Sequence, residues 1–315
     1  MTGVWNVSGM SAAPGETAQG TVKWPGVKPE VPLVLVNGSK EGPLTVILGG
    51  IHGCEYTSID AAIQLSQVLK KQDVRGRLAI IPVVAIEAYA ARSIYVHPVD
   101  KKNLNRNLPG KADGTETERL AHHLFQALLK DSDIVIDLHG GDMNEALVPF
   151  IIYSKTPDQA LNQRALGFAK AFGIRYIVGS DTVGSTYSVA AAAGKLAVLA
   201  EAGQQGILDP AGATLLVDGT LNALRSVGVI AGAVVEHPGL TQVENFLWTR
   251  SGHFGAWYPQ FQVGDKVVAG QKMGELRDLF GQVLQEVFAD ATGPVLFSVT
   301  SLAINAGDPL FAIGC

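Results

Sequence analysis

Three short apolar runs set the strongest limit on what this chain can fold into. They are Leu44-Thr45-Val46-Ile47-Leu48, Ile134-Val135-Ile136-Asp137-Leu138 and Leu196-Ala197-Val198-Leu199-Ala200, each leading within a few residues into glycine. Runs this short and this apolar on both faces read as strands buried on both sides, which requires a sheet covered by helices. The intervening segments supply those helices. Ala61, Ala62, Ile63, Leu65, Val68 and Leu69 recur at helical spacing, as do Leu120, Leu124 and Leu128. Further helices are expected within 151–175, over 185–194 and over 214–227. The expected fold is α/β, with a mostly parallel or mixed central sheet flanked by helices. Each run gives way to polar residues: His52 and Glu55 in Gly49-Gly50-Ile51-His52-Gly53-Cys54-Glu55, then His139, then Glu201. In a parallel sheet these strand ends share one edge, where ligand sites of open α/β folds gather. Histidine and glutamate are both donors that suit Zn²⁺.

Residues 1–40 read as a strand-bearing lead-in, and Leu78–Val84 as another buried strand. The segment from Arg92 to Gly114 is long and irregular and carries Asn103-Leu104-Asn105-Arg106-Asn107-Leu108-Pro109-Gly110. Irregular segments of this length inside a domain usually serve function. Beyond about residue 240 short strands alternate with Gly-Asp turns. Val263–Gly270 is weakly echoed by Asn305–Ala312, which reads as a small all-β barrel or sandwich of two similar halves. The division expected is a catalytic domain over 1–240 and a β-rich domain over 241–315.

Composition removes several function classes. With 315 residues and 47 % hydrophobic content the chain can bury a sizeable core. Its formal net charge of -5 and the absence of a basic stripe argue against nucleic acid as a partner. No run of eighteen apolar residues is present, so no membrane span is expected. Two cysteines, Cys54 and Cys315, build no disulfide framework. Residues 1–20 lack a basic start followed by an apolar core, and the expected location is the cytoplasm. A homo-oligomer is left open.

His-Gly-Cys-Glu, Asn-Leu-Asn-Arg-Asn-Leu-Pro-Gly, Asp-Leu-His-Gly and Ala-Glu-Ala-Gly succeed one another in this order. With these motifs the chain resembles the succinylglutamate desuccinylase/aspartoacylase family, which is related to the zinc carboxypeptidases. The resemblance implies one Zn²⁺ per chain held by His52, Glu55 and His139. It makes Glu201 the catalytic glutamate, and Asn105 with Arg106 the contacts to a substrate carboxylate. The family often has Asp-Leu-Asn-Arg where this chain has Asn103-Leu104-Asn105-Arg106. It also uses an upstream arginine on the scissile carbonyl; the arginine nearby is Arg92, whose spacing departs from the pattern. A set of two histidines and one glutamate leaves a zinc position open for water, and zinc lowers that water's pKa to about 7. An unligated carboxylate can then serve as general base.

The implied function is cleavage of the amide in a small N-acyl amino acid. The alternatives are a metallocarboxypeptidase acting on short peptides and a non-catalytic binding protein on the same scaffold. Asp137 lies on the same strand face as His139; a nearby cation is its expected partner, and the imidazole the alternative. Cys54 is expected to pack. His97, His122, His123, His237 and His253 are expected outside the site. Lys272 faintly resembles a biotin-acceptor lysine but lies within a half-repeat, so no modification is expected.

Overall fold

The apolar runs form the middle of a nine-stranded mixed sheet in the computed structural model of the chain, which describes residues 3–70 and 72–315. Across that sheet the order is Thr241–Val243, Tyr176–Ser180, Phe150–Ser154, Leu196–Glu201, Ile134–His139, Lys40–Leu48, Arg75–Ile81, Val31–Asn37 and Glu16–Val22. The four strands Leu196–Glu201, Ile134–His139, Lys40–Leu48 and Arg75–Ile81 run parallel. Phe150–Ser154 is antiparallel to Leu196–Glu201, and the two lead-in strands are antiparallel additions at the far edge. The centre is buried on both faces, as the unbroken apolar runs require: Ile47, Leu48, Val135, Ile136, Val198 and Ala200 have no exposed surface. Removing such side chains from water stabilises the fold by roughly 1.5–3 kcal/mol for each larger aliphatic residue.

Helices Tyr56–Leu69, Gln159–Phe172 and Pro210–Ser226 join one core, with Leu65, Leu69, Phe168, Phe172 and Leu216 packed against it. Glu116–Leu124 and Thr186–Ala192 close the other face. The last of the large helices starts earlier than its apolar period suggests. Asp209 Oδ1 accepts from Ala211 N–H and Pro210 occupies the first turn, so capping chemistry extends the helix ahead of Thr214. Helix Glu116–Leu124 continues into a π-helical turn over Phe125–Leu129.

From Thr241 onward the described elements are all strands. Phe246–Arg250, Pro309–Gly314, Gly293–Val299 and Lys266–Val267 make one antiparallel sheet. Val283–Phe288, Lys272–Arg277, Gly255–Pro259 and Ala303–Ile304 make a second, with Trp257, Met273 and Phe311 buried in their core. Two features tie these sheets to the larger one. Thr241–Val243 pairs parallel with Tyr176–Ser180, and the chain crosses to the C-terminal sheets at Glu244–Asn245. In return Glu145–Leu147 pairs with Gly293–Val299, placing Val299 opposite Glu145 and Phe297 opposite Leu147.

Candidate metal centre and active-site cavity

The parallel register brings the polar strand ends together. Glu201 and His139 are direct partners on adjacent strands, and Leu48 is opposite Asp137. The chain leaves Leu48 through Gly50, whose φ of +61° lies in the left-handed region that glycine enters without strain. It then presents His52 and Glu55 before helix Tyr56–Leu69. Glu55 occupies the N-cap of that helix, yet its side chain caps nothing. Its carboxylate turns to the two imidazoles: Oε1 is 2.6 Å from His52 Nδ1 and Oε2 is 2.9 Å from His139 Nδ1. Oε2 also accepts from Gly140 N–H at 3.2 Å. The positive end of the helix favours the negative charge there.

Each imidazole is held from behind. His52 Nε2 is 3.1 Å from Asn103 Oδ1, and His139 Nε2 donates to Asp137 Oδ2 at 3.0 Å. Asp137 therefore pairs with its own strand's histidine and with the hydroxyl of Thr186. This corrects the expectation of a nearby cation: no lysine or arginine pairs with Asp137 among the described residues, because the site is deep in the sheet. Both Nδ1 atoms face inward with both Nε2 atoms engaged outside, the arrangement by which outer partners fix a ligating histidine.

The donor set suits a divalent cation. One donor atom from each of His52, Glu55 and His139 lies within 4.8 Å of the others, and nitrogen with carboxylate oxygen is a combination zinc favours. The electrostatics of the bare site point the same way. Burial works to lower the pKa of both histidines, but Glu55 raises that of His52, and Asp137 and Glu55 raise that of His139 well above its ordinary value. Burial works to raise Glu55, and the two imidazoles hold it down at about 2. Beside them Glu201 Oε2 is shut off from solvent without a hydrogen-bond partner among the described residues. Burial raises the Glu201 carboxyl well above the usual range; His139 opposes this, and Glu55, Glu145 and Asp137 add to it. A cation between the ligands would relieve that burden.

The site opens into a cavity of about 860 Å³ whose lining includes His52, Glu55, Asn105, Arg106, His139 and Glu201. Of the sequence-predicted residues only Arg92 is not brought there. It is exposed, with φ +54° at the end of helix Ile86–Ala91, and its charge acts on Cys54 and Tyr56. Asn105 is buried, with Oδ1 accepting from Thr186 N–H at 3.0 Å and Nδ2 3.5 Å from His139 Nε2. Arg106 is held at its own turn by the Asn105 carbonyl, 2.7 Å from Nη1. Cys54 is fully buried, as expected. His97, His122, His123, His237 and His253 all lie outside the cavity lining. Lys272 sits on a strand flank between Glu275 and Glu286, away from the Asp278–Gly281 hairpin tip.

Three contributors escaped the sequence reading. Tyr95 and Glu145 line the cavity from the catalytic part of the chain, and an aromatic wall comes from the C-terminal sheets. In that wall Trp248 packs 5.3 Å from Phe246 and 4.9 Å from Phe297, ring centre to ring centre. Burial pushes the Glu145 carboxyl up to about 7. The one local signal for Glu145 was an acid six residues beyond His139, too common to single out.

The chain has recognisable relatives in both sequence and fold. The model of the succinylglutamate desuccinylase/aspartoacylase catalytic domain matches residues 41–227. The chain is 31 % identical over 292 residues to the N-alpha-acetyl-L-2,4-diaminobutyric acid deacetylase of Halomonas elongata, covering 90 % of this chain and 85 % of that protein. Its fold is similar to a succinylglutamate desuccinylase/aspartoacylase from Rhodobacter sphaeroides, at a TM-score of 0.84 and 26 % identity over 94 % of both chains. It is also similar to the product-bound ectoine utilization protein EutE (DoeB) from Ruegeria pomeroyi, at a TM-score of 0.86 and 26 % identity, covering 98 % of this chain and 99 % of that one.

Proposed function

The chain belongs to the succinylglutamate desuccinylase/aspartoacylase family, and on that premise we propose that it hydrolyses the amide of a small N-acyl amino acid, with acetyl as the leading candidate acyl group. The observation that carries this reading is the convergence of two inward-facing imidazoles and a carboxylate beside the unpartnered Oε2 of Glu201. His52, Glu55 and His139 would hold a zinc ion. Bound there, zinc supplies a Lewis acid for the scissile carbonyl and a lowered pKa for water.

The remaining work falls to the chain's own groups. Glu201 Oε2 takes the proton of the attacking water and returns it to the departing nitrogen, which must leave as an amine. Arg106 offers a planar fork of donors to the substrate's carboxylate, away from the reacting carbon, and Asn105 adds neutral donors beside it. The aromatic wall of Phe246, Trp248 and Phe297 excludes water and bounds the length of what enters.

A panel of amides incubated with the zinc-loaded protein tests the proposal. N-acetyl and N-succinyl amino acids, N-α-acetyl-L-2,4-diaminobutyrate among them, should release free amine faster than dipeptides do. Preferred cleavage of peptides would instead make the chain a carboxypeptidase. A full equivalent of zinc with no turnover on any amide would leave a binding protein.

A further inference from the structure

Most charged groups around the cavity are already engaged or lie in open solvent. Arg106 Nη1 donates to the Asn105 carbonyl at 2.7 Å and is assigned above to the substrate's carboxylate, and Lys155 Nζ donates to the Glu244 carbonyl at 3.2 Å. Arg250 Nη1 donates to the Gly307 carbonyl at 3.0 Å. Of the acids, Asp181 and Glu244 are exposed, where a charge pair contributes little. Asp308 Oδ2 accepts from both the backbone and side-chain nitrogen of Asn305. Glu145 stands apart. It is part-buried in the cavity lining, its Oε2 accepts from Asp142 N–H at 3.0 Å, and its Oε1 has no hydrogen-bond partner among the described residues. No lysine, arginine or histidine forms an ion pair with it among them.

Its position is also built rather than incidental. The Glu145 carbonyl accepts from Gln205 N–H at 2.7 Å, and its N–H donates to the Asp142 carbonyl at 2.9 Å. On the other side the strand Glu145–Leu147 is held in register by Gly293–Val299. A carboxylate held this firmly, with no lysine, arginine or histidine in ion-pair contact among the described residues, inside the cavity where an N-acyl amino acid must sit, is a counter-charge for something the substrate brings. The Halomonas elongata relative is a deacetylase of N-alpha-acetyl-L-2,4-diaminobutyric acid, a compound whose side chain ends in an amine.

We propose that Glu145 is the specificity-determining residue for the amino-acid side chain, pairing through Oε1 with a substrate ammonium, so that the chain prefers N-acyl diamino acids over their neutral analogues. This rests on the deacylase reading above. Arg106 then reads the carboxylate and Glu145 the ammonium, and two opposite charges fix the amide between them over the metal ligands. An ammonium-to-carboxylate hydrogen bond in such a setting corresponds to roughly 10- to 100-fold in affinity.

The test is a binding measurement that does not depend on turnover. Calorimetry on the full zinc-loaded chain compares L-2,4-diaminobutyrate with L-2-aminobutyrate, which lacks only the side-chain amine. Wild type should bind the diamino acid roughly 10- to 100-fold more tightly. Glu145→Gln keeps an oxygen for Asp142 N–H, so the turn is retained while the charge is lost, and the two ligands should then bind within about threefold of each other. A wild type without the preference, or a Gln variant that keeps it, overturns the assignment. Glu145→Asp should restore part of the preference, which a purely structural role for the residue would not produce. The amide panel judges deacylation separately, so the two readings fail by different results.

Discussion

At the scale of single residues the site shows function overriding local preference. A carboxylate at an N-cap ordinarily accepts from the first turn of its helix, and Glu55 gives up that role to bridge two imidazoles. Glu201 carries a parallel conflict, a buried oxygen with no partner among the described residues. Such a group costs stability, and groups of this kind cluster where they serve chemistry. Glu201→Gln should therefore fold and bind zinc as wild type does while kcat falls by roughly 10²–10⁴-fold, because the amide cannot take a proton. Steady-state kinetics with zinc analysis on the same preparation checks this; near-normal kcat would remove Glu201 from the proton path. His139→Ala deletes one of three donors and leaves Glu55 and Asp137 facing each other's charge. Zinc retained after dialysis should drop far below one equivalent per chain, and a variant that still holds a full equivalent would mean another ligand set.

At the scale of elements, the irregular segment between Arg92 and Gly114 is ordered by asparagine and aspartate side chains rather than by a ladder. Asn103 Oδ1 accepts from Asn105 N–H at 2.8 Å while meeting His52 Nε2, so one amide couples the turn that carries Arg106 to the imidazole of His52. The asparagines thus do what an ordinary loop would ask of them, and also position Arg106. Asp100 pins the segment to helix Glu116–Leu124 by accepting from Thr117 Oγ1 at 2.7 Å, Thr117 N–H at 3.0 Å and Lys102 N–H at 3.1 Å. Burial works to raise its carboxyl, but the hydroxyls of Thr115 and Thr117 and these backbone donors bring it down to about 2. A folded pKa below the unfolded one contributes stability that is present above the unfolded value, near 3.8, and is lost as pH falls through about 2. Asp100→Asn should lower stability by about 2 kcal/mol at neutral pH, with the deficit shrinking as pH drops below about 4. Urea midpoints of both proteins across that range decide the matter. A pH-independent deficit would assign the loss to packing instead.

At the scale of the whole molecule, the C-terminal sheets complete the cavity: they supply its aromatic wall and clamp the strand that carries Glu145. Trp248 is 44 % exposed, so its loss should leave the fold intact. Trp248→Ala should reduce kcat/KM on N-acetyl substrates by up to about tenfold, the scale of one lost aromatic contact, while longer acyl chains gain relative to acetyl. Rates on an acyl-length series measure it, and an unchanged length profile would deny the wall any part in selection. The central strands, the flanking helices and the polar residues at the strand ends were legible in the sequence, because a buried strand and an amphipathic helix write their periodicity into a few neighbouring residues. The long loop and its Asn105-Arg106 pair were legible for a similar reason, as a local break in that pattern. Asp137 showed its strand face but not its partner, Arg92 fell outside the cavity lining, and Glu145, Tyr95 and Trp248 gave no signal above background. The placements of Glu145 and Trp248 were decided by pairings between distant segments, Glu145–Leu147 with Gly293–Val299 and Thr241–Val243 with Tyr176–Ser180. Local periodicity tells which face of a strand is apolar, but its neighbour is chosen only when backbone hydrogen bonds and packing form across the folded chain.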